Sequence, residues 1–180
     1  MTLLSSRRVY TGRVLDLDID TVGFPDGSSG ELEMIRHPGA AAVVPFLDDP
    51  HDPDPHVLLI RQFRHAADGF IWEIPAGRLD RGEVPIDCAH RELREETGRT
   101  ARSLQPLTTM FATPGFTDER IHLFLASGLE EGRDERDRDE FLEPHAVRWS
   151  AVMEMIARGE IQDGKTLVAL MFVQCFVRRI

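Results

Sequence analysis

The sequence is poor in cysteine and in long apolar runs. Its two cysteines, Cys88 and Cys175, lie far apart in segments of helical pattern, so we expect no disulfide framework. The first ten residues lack the apolar core of a signal peptide, and no later run approaches the length of a membrane span. These absences favour a cytoplasmic protein with no membrane partner.

Positive charge is scarce as well. The chain carries 21 Lys and Arg against 31 Asp and Glu, which gives a formal net charge of -10 at pH 7. Because nucleic-acid backbones are bound mainly by Lys and Arg, this charge argues against a nucleic-acid partner. A phosphate-containing substrate would then be bound largely through a metal ion. The length of 180 residues and the 42% hydrophobic content are those of one ordinary globular domain.

Hydrophobic periodicity predicts strands on both sides of one short helix. We expect strands at residues 8–22, 32–37, 40–46, 56–62, 70–75, 107–113 and 122–127 and around residue 147. Further helices are predicted at residues 153–158 and 167–179. This order of strands and helices favours an α/β protein with a mixed sheet between helical layers.

The short helix carries a cluster of carboxylates. Pro85 suits the first turn of a helix, and Gly98 suits its end. One arc of this helix is acidic and the adjacent arc is largely apolar. The acidic arc contains Glu92, Glu95 and Glu96, and the other arc contains Ile86, Ala89, Leu93 and Thr97.

Carboxylates three and four positions apart repel one another, so their clustering asks for an explanation. Oxygen ligands without a partnering Cys or His suit Mg²⁺ or Mn²⁺, which also bind substrate phosphates. Cys88 lies on the acidic arc, but its thiol is too soft for Mg²⁺, and we expect it to be buried. A solvated charged face, with Arg91 pairing with Glu95, is the alternative interpretation.

The spacing around these carboxylates distinguishes the two interpretations. Gly77, Glu83 and the run RELREETG at residues 91–98 fit the Nudix box, G-x5-E-x7-R-E-U-x-E-E-x-G-U, in which U is an apolar residue. The one departure is Arg99, which occupies the final apolar position. The chain therefore resembles a Nudix hydrolase, and this resemblance favours the metal-binding interpretation.

Three further segments resemble the ADP-ribose pyrophosphatase branch of this family. They are Arg61–Arg64, Trp72–Gly77 and Thr113–Glu119. Pro114 also lies sixteen residues beyond Gly98, as in that branch. The resemblance implies a small-molecule nucleoside diphosphate substrate, namely ADP-ribose, hydrolysed to AMP and ribose 5-phosphate. The alternatives are a nucleotide sugar or a flavin dinucleotide as substrate, and a nucleotide-sensing domain without activity.

The same resemblance implies an architecture. Residues 39–180 would form the Nudix domain, an α/β/α sandwich with a mixed sheet, and residues 1–38 would form a small antiparallel sheet before it. The N-terminal strands would join two chains in a homodimer and reach the partner's substrate pocket. These strands are short and difficult to bury on one subunit, which also favours a dimer.

The resemblance further implies roles for residues in and next to the box. The metal ligands would be the carbonyl oxygen of Ala76 and the carboxylates of Glu92, Glu95 and Glu96. Glu95 would also support the attacking water or a second ion, and Arg91 would orient a glutamate. The ions, Mg²⁺ or Mn²⁺, would neutralise the diphosphate oxygens and lower the pKa of the water.

Candidate substrate-binding residues lie outside the box. They are Arg61, Arg64, Glu73, Pro114, Gly115 and Phe116. The two arginines end a predicted buried strand and are suited to hydrogen bonding with a phosphate, although exposed strand-end arginines are common. Pro114 and the loop that follows it to Glu119 are expected to shape the pocket beyond the second phosphate.

A general base is expected on the charged segment at residues 130–140. This segment has no apolar period and connects two predicted strands, which is typical of a loop able to close. Glu140 is the first candidate because it lies where the chain re-enters the fold. Asp139 and Glu143 are the alternatives.

Residues 159–166, GEIQDGKT, fit the P-loop expression G-x4-G-K-[ST], but their context argues against a P-loop. A helix rather than a strand is predicted before them, and Glu160 and Asp163 would lie in the phosphate cradle. We expect Gly159 to end one helix and Asp163 to lie near the start of the next.

Overall fold

The structure is a computed structural model that describes residues 1–132 and 142–178. The strands are β1 (Thr2–Thr11), β2 (Asp16–Gly23), β3 (Ser29–Arg36), β4 (Ala40–Pro45), β5 (His56–Arg64), β6 (Gly69–Glu73), β7 (Ala76–Arg78), β8 (Arg99–Phe111), β9 (Arg120–Glu131) and β10 (Leu142–Arg148). The helices are α1 (Pro85–Thr97), α2 (Trp149–Ala157) and α3 (Gly164–Phe172), with a 3-10 turn at His65–Ala67 and a π-helix at Val173–Val177. No helix within the described ranges is long and apolar enough to cross a membrane.

The strands form three sheets. β1, β2 and β3 make a small antiparallel sheet. The order β7-β4-β9-β8 gives a mixed sheet in which β4 runs parallel to β9. The order β10-β5-β6 gives an antiparallel sheet. The prediction of an α/β fold with a mixed sheet and a small antiparallel sheet before it is confirmed.

Successive residues of β4 face opposite sides of the mixed sheet, as they must in a strand. Ala41 and Val43 pack with residues of α1, whereas Ala42 and Val44 pack with residues of α2 and α3. The sheet is therefore covered by helices on both faces, which gives the predicted α/β/α sandwich. Packing of the apolar arc of α1 fixes the direction of its acidic arc, although Ile86, predicted on the apolar arc, is exposed.

The N-terminal sheet differs from the sequence prediction. The strand predicted at residues 8–22 is divided between β1 and β2. The acidic face of β2 is its more buried face, with Asp18 and Asp20 each 6% exposed. Arginines on the neighbouring strands explain this burial. Arg8 and Arg36 both form ion pairs with Asp18, and Arg36 also pairs with Asp20.

Other elements also begin or end at residues that differ from the predicted ones. β8 begins at Arg99 and β9 continues to Glu131, so the loop predicted from residue 130 starts later. The terminal residues of this hairpin, Arg99, Thr100, Glu130 and Glu131, are polar, so the sequence shows no apolar period there. The last helix begins earlier than predicted and changes to a π-helix before residue 179. Gly159, with a φ of 72°, follows α2, and Asp163 caps α3, as predicted.

Candidate active site

α1 positions the acidic arc. The helix starts at Pro85, and Gly98, with a φ of 66°, caps its C-terminus by donating its N–H to the Arg94 carbonyl at 2.8 Å. Glu92 and Glu96 are only 8% and 3% exposed. A solvated charged face would leave both carboxylates in water, so that interpretation does not describe these two residues.

β7 lies directly against these carboxylates. The Ala76 N–H donates a hydrogen bond to Glu96 Oε2 at 2.9 Å. At Gly77 a β-carbon would lie 1.9 Å from Glu92 Oε1, so no larger residue fits between the strand and the helix. Close approach of the β7 backbone therefore brings residues from both ends of the box together.

Arg91 links the remaining acidic residues of the box. Its guanidinium donates to the two carboxylate oxygens of Glu83, both at 2.9 Å. It also donates to Glu92 at 2.5 Å and to Glu95 at 3.0 Å. The hydrogen bond from Arg91 lowers the pKa of Glu83 to about 2 and raises the pKa of Arg91 itself. Arg91 thus contacts three glutamates of the box, and its role in orienting one of them stays a prediction.

The predicted metal ligands are all oxygen atoms, from the carboxylates of Glu92, Glu95 and Glu96 and the carbonyl of Ala76. Oxygen is the ligand type that a hard divalent cation prefers. Burial raises the pKa of the Cys88 thiol to about 12, so this sulfur stays protonated and is a poor ligand. In the described part of the chain, no three His, Cys, Asp or Glu side chains converge as the ligands of an ion would. Arg91 and the β7 backbone hold the glutamates instead.

A cavity of about 480 Å³ opens beside β7. Its lining includes Arg64, Ala76, Gly77, Thr113, Glu119 and Lys165. This size suits a small-molecule ligand. A second cavity of about 470 Å³ is bordered by residues 47–51 and contains no residue of the box. Of these two cavities, only the first combines a residue of the box, Gly77, with positively charged side chains in its lining.

The substrate-binding residues predicted on β5 and β6 occupy different positions. Arg64 lines the cavity, whereas Arg61 is not among the lining residues and stacks over the Phe70 ring at 4.6 Å. Glu73 is buried beside Arg64, which donates to its two carboxylate oxygens at 3.0 and 2.6 Å. These hydrogen bonds raise the pKa of Arg64. Glu73 is thus placed to hold Arg64 rather than to line the cavity.

The loop after β8 contributes its ends to the cavity. Thr113 and Glu119 line the cavity. The other predicted substrate-binding residues, Pro114, Gly115 and Phe116, are exposed. The Ile35 N–H, in β3, donates to the Phe116 carbonyl at 2.8 Å. The N-terminal sheet therefore holds the loop that borders the cavity.

Among the described residues, no candidate for the general base lines the cavity. Glu140 and Asp139 lie outside the described residues. Glu143, in β10, is exposed, forms an ion pair with Arg61 at 3.7 Å and is not among the lining residues. The assignment of a base to this segment stays a prediction.

Four lining residues with ionisable side chains were absent from the sequence-based candidates. They are His37, Arg78, Asp163 and Lys165. The last two belong to the segment that fits the P-loop expression, and that match was the one signal for them in the sequence. The segment is not a P-loop, because a helix rather than a strand precedes it. The start of α3 nevertheless lines the cavity.

Comparisons with known proteins agree with this geometry. The chain matches the model of the NUDIX domain over residues 36–170. The ADP-ribose pyrophosphatase of Bacillus subtilis is 38% identical over 174 residues, covering 95% of this chain and 91% of the relative. The GDP-mannose pyrophosphatase of Yersinia enterocolitica is 37% identical over 131 residues, 68% of each chain.

A solved structure described as an ADP compounds hydrolase has the same fold. Its TM-score is 0.83 at 24% identity, over 96% of this chain and 91% of that chain. The family model covers the box, the cavity and both helical layers. The chain belongs to the Nudix family of hydrolases.

Proposed function

We propose that this protein hydrolyses the diphosphate bond of ADP-ribose, giving AMP and ribose 5-phosphate, with Mg²⁺ or Mn²⁺ as its cofactor. The proposal rests on the contact between the buried carboxylates of α1 and the backbone of Ala76 and Gly77, which lines the cavity. The choice of substrate is supported by similarity of nearly the whole chain to an ADP-ribose pyrophosphatase.

Residues of β7 and α1 would hold the metal. The ligands would be the Ala76 carbonyl and the carboxylates of Glu92, Glu95 and Glu96. A divalent ion bound there neutralises the diphosphate oxygens and lowers the pKa of the attacking water. Arg91 keeps the acidic side chains in place through its hydrogen bonds to Glu83, Glu92 and Glu95.

Arg64 would bind a phosphoryl oxygen of the substrate. A guanidinium group has five N–H donors, and Glu73 accepts from two of its nitrogens. Because Glu73 is buried, it fixes the direction of Arg64 before substrate arrives. A proton from the water would pass to a carboxylate, for which Glu140 is the first candidate and Asp139 and Glu143 are the alternatives.

Turnover of a panel of compounds tests this function. Product formation would be followed with Mg²⁺ for ADP-ribose, GDP-mannose, flavin adenine dinucleotide and ATP. We expect the highest kcat/KM for ADP-ribose and no turnover in excess chelator. A higher value for GDP-mannose would favour a nucleotide-sugar hydrolase, which the similarity to a GDP-mannose pyrophosphatase supports. Binding without turnover of any compound would favour a nucleotide-sensing domain.

We also propose a homodimer formed through the N-terminal sheet. β1 is a ten-residue edge strand that is exposed throughout. Its exposed side chains include Leu3, Leu4 and Tyr10. Exposed edge strands with apolar side chains are suited to pairing with another chain. Deletion of residues 1–37 should remove both dimer and activity, and a monomeric mass for the full chain by light scattering at micromolar concentration would contradict the proposal.

A further inference from the structure

Lys165 is the single lysine of the chain, and it lies in the wall of the cavity. It occupies the first turn of α3, and its side chain is only 13% exposed. An ammonium group that is so well covered loses hydration, so its position requires partners or a ligand.

Two carboxylates contact the ammonium group. Lys165 Nζ lies 3.3 Å from Glu73 Oε2 and 3.0 Å from Asp163 Oδ2. An ammonium group carries three N–H donors, one more than the number of these carboxylate contacts. The third N–H is available to an acceptor inside the cavity.

Both carboxylates have other donors. Glu73 accepts two hydrogen bonds from Arg64. Asp163 Oδ2 accepts from the Thr166 N–H at 2.9 Å and from the Thr166 hydroxyl at 2.6 Å. Neither carboxylate would be left unpaired if the lysine were removed. The fold therefore needs Lys165 less than its burial suggests, which points to a role toward the cavity.

The position of Lys165 is fixed relative to β7. The Ile74 N–H donates to the Thr166 hydroxyl oxygen at 3.0 Å, and Thr166 is inaccessible to solvent. This bond ties the first turn of α3 to the residues that lead directly into Ala76 and Gly77. Arg64 and Lys165 are both held by the same buried carboxylate, that of Glu73. Two cations are thus presented to the cavity together.

We propose that Lys165 is a substrate-binding residue that donates a hydrogen bond to a non-bridging oxygen of the substrate's diphosphate, beside Arg64. A lysine acts at such a site as a compact positive charge, whereas an arginine recognises two oxygens at once. The identity of the diphosphate compound rests on the proposed function, but the recognition of a diphosphate by Lys165 does not depend on which group is attached to it.

The test compares Lys165→Met, which removes the charge, with Lys165→Arg, which retains it. Arg102 of β8 forms an exposed ion pair with Glu130 of β9, and Arg102→Met is the matched control for loss of a positive charge. Calorimetry would measure binding of inorganic pyrophosphate and of α,β-methylene ADP-ribose with Mg²⁺, and kinetics would give kcat and KM for ADP-ribose.

We expect Lys165→Met to weaken binding of both probes about 10- to 100-fold, the range for a hydrogen bond to a charged group, and to raise KM more than it lowers kcat. Lys165→Arg should recover part of this loss, and Arg102→Met should bind as the wild type does. The Tm of Lys165→Met should stay close to that of the wild type, because Glu73 and Asp163 keep their other donors.

Two results would overturn the proposal. One is that Lys165→Met binds both probes, per folded molecule, within about threefold of the wild-type affinity, whether or not its Tm is lower. If Lys165→Met does not fold, Lys165→Gln is measured in its place. Wild-type affinity of Lys165→Gln for both probes would be the second result that overturns the proposal. If the wild type turns over no compound of the panel, yet binds pyrophosphate more tightly than Lys165→Met, the proposed function fails while the role of Lys165 stands.

Discussion

The acidic face of β2 and two carboxylates of the acidic arc of α1, Glu92 and Glu96, are buried, but the groups that contact them differ. On β2, guanidinium groups from the two neighbouring strands cover the carboxylates. The hydrogen bond from Arg8 lowers the pKa of Asp18, and the hydrogen bond from Ser6 lowers the pKa of Asp20. These aspartates complete their contacts within one sheet, so the cluster is structural.

On α1 the Arg91 guanidinium also donates to Glu92, but both buried carboxylates lie against the backbone of β7 as well. Glu96 accepts from the Ala76 N–H, and Glu92 fills the space that a side chain at position 77 would take. Ala76 and Gly77 in turn line the cavity. The comparison teaches that closely spaced acidic residues do not by themselves indicate a metal site. The groups that face them decide between a structural and a metal-binding role.

The largest expected effect on activity comes from neutralising a buried carboxylate of the acidic arc on α1. Glu96→Gln and Glu92→Gln should each lower kcat/KM on the order of 10²-fold or more, since each removes a charge that would hold the metal. In Glu96→Gln the new amide oxygen can still accept from the Ala76 N–H, so the Tm of this variant should change little. Steady-state kinetics with Mg²⁺ and thermal unfolding measure both quantities.

Asp18→Asn is the matched change on β2, and it should have the opposite profile. Its Tm should fall because Arg8 and Arg36 lose a charged partner. Its kcat per folded molecule should equal that of the wild type. Loss of activity without loss of stability in this variant would contradict the assignment of a structural role to the acidic cluster on β2.

A methyl group at position 77 should separate the helix from the strand. In Gly77→Ala the β-carbon would overlap the Glu92 carboxylate, so that side chain must move away from β7. We expect kcat/KM to fall about 10-fold or more, with a higher Mg²⁺ concentration needed for half-maximal activity. Gly69→Ala is the control, because its β-carbon would make only an ordinary contact at 3.9 Å. Equal activity of the two variants would count against the close approach.

A smaller effect is expected on the acid stability of the protein. Glu83 has a pKa of about 2 in the fold against an ordinary value of 4.5. A lowered carboxyl pKa stabilises the folded state above the ordinary value, and this stabilisation is lost as the pH falls through the folded value. The Tm difference between the wild type and Glu83→Gln should therefore be largest above pH 4.5 and shrink toward pH 2. A difference that does not change with pH would contradict the ion pair with Arg91.

The smallest effect is expected at the one departure from the box. Arg99 begins β8 and forms an ion pair with the exposed Glu131 at 3.7 Å. Such pairs contribute about 1 kcal/mol or less. Arg99→Leu, which restores the apolar residue of the box, should change the free energy of unfolding by about that amount at most and leave kcat/KM unaltered. Urea unfolding and steady-state kinetics provide the check.

The sequence predicted the parts of the site that depend on local spacing. The helix over residues 85–97 and its acidic arc follow from helical period and from residues suited to its two ends. Lys165 was not predicted, because its contact with Glu73 joins residues far apart in the chain. The buried face of β2 was also missed, since period alone does not reveal that Arg8 and Arg36 cover the aspartates.

The most direct test of the metal site is the binding of Mn²⁺ followed by electron paramagnetic resonance. The wild type and Asp18→Asn should bind Mn²⁺ with the same affinity, because the acidic face of β2 already has its partners. The double variant Glu92→Gln/Glu96→Gln should retain its fold by circular dichroism and lose this binding. Wild-type Mn²⁺ affinity in the double variant, or loss of binding in Asp18→Asn, would contradict the assignment of the metal site to α1.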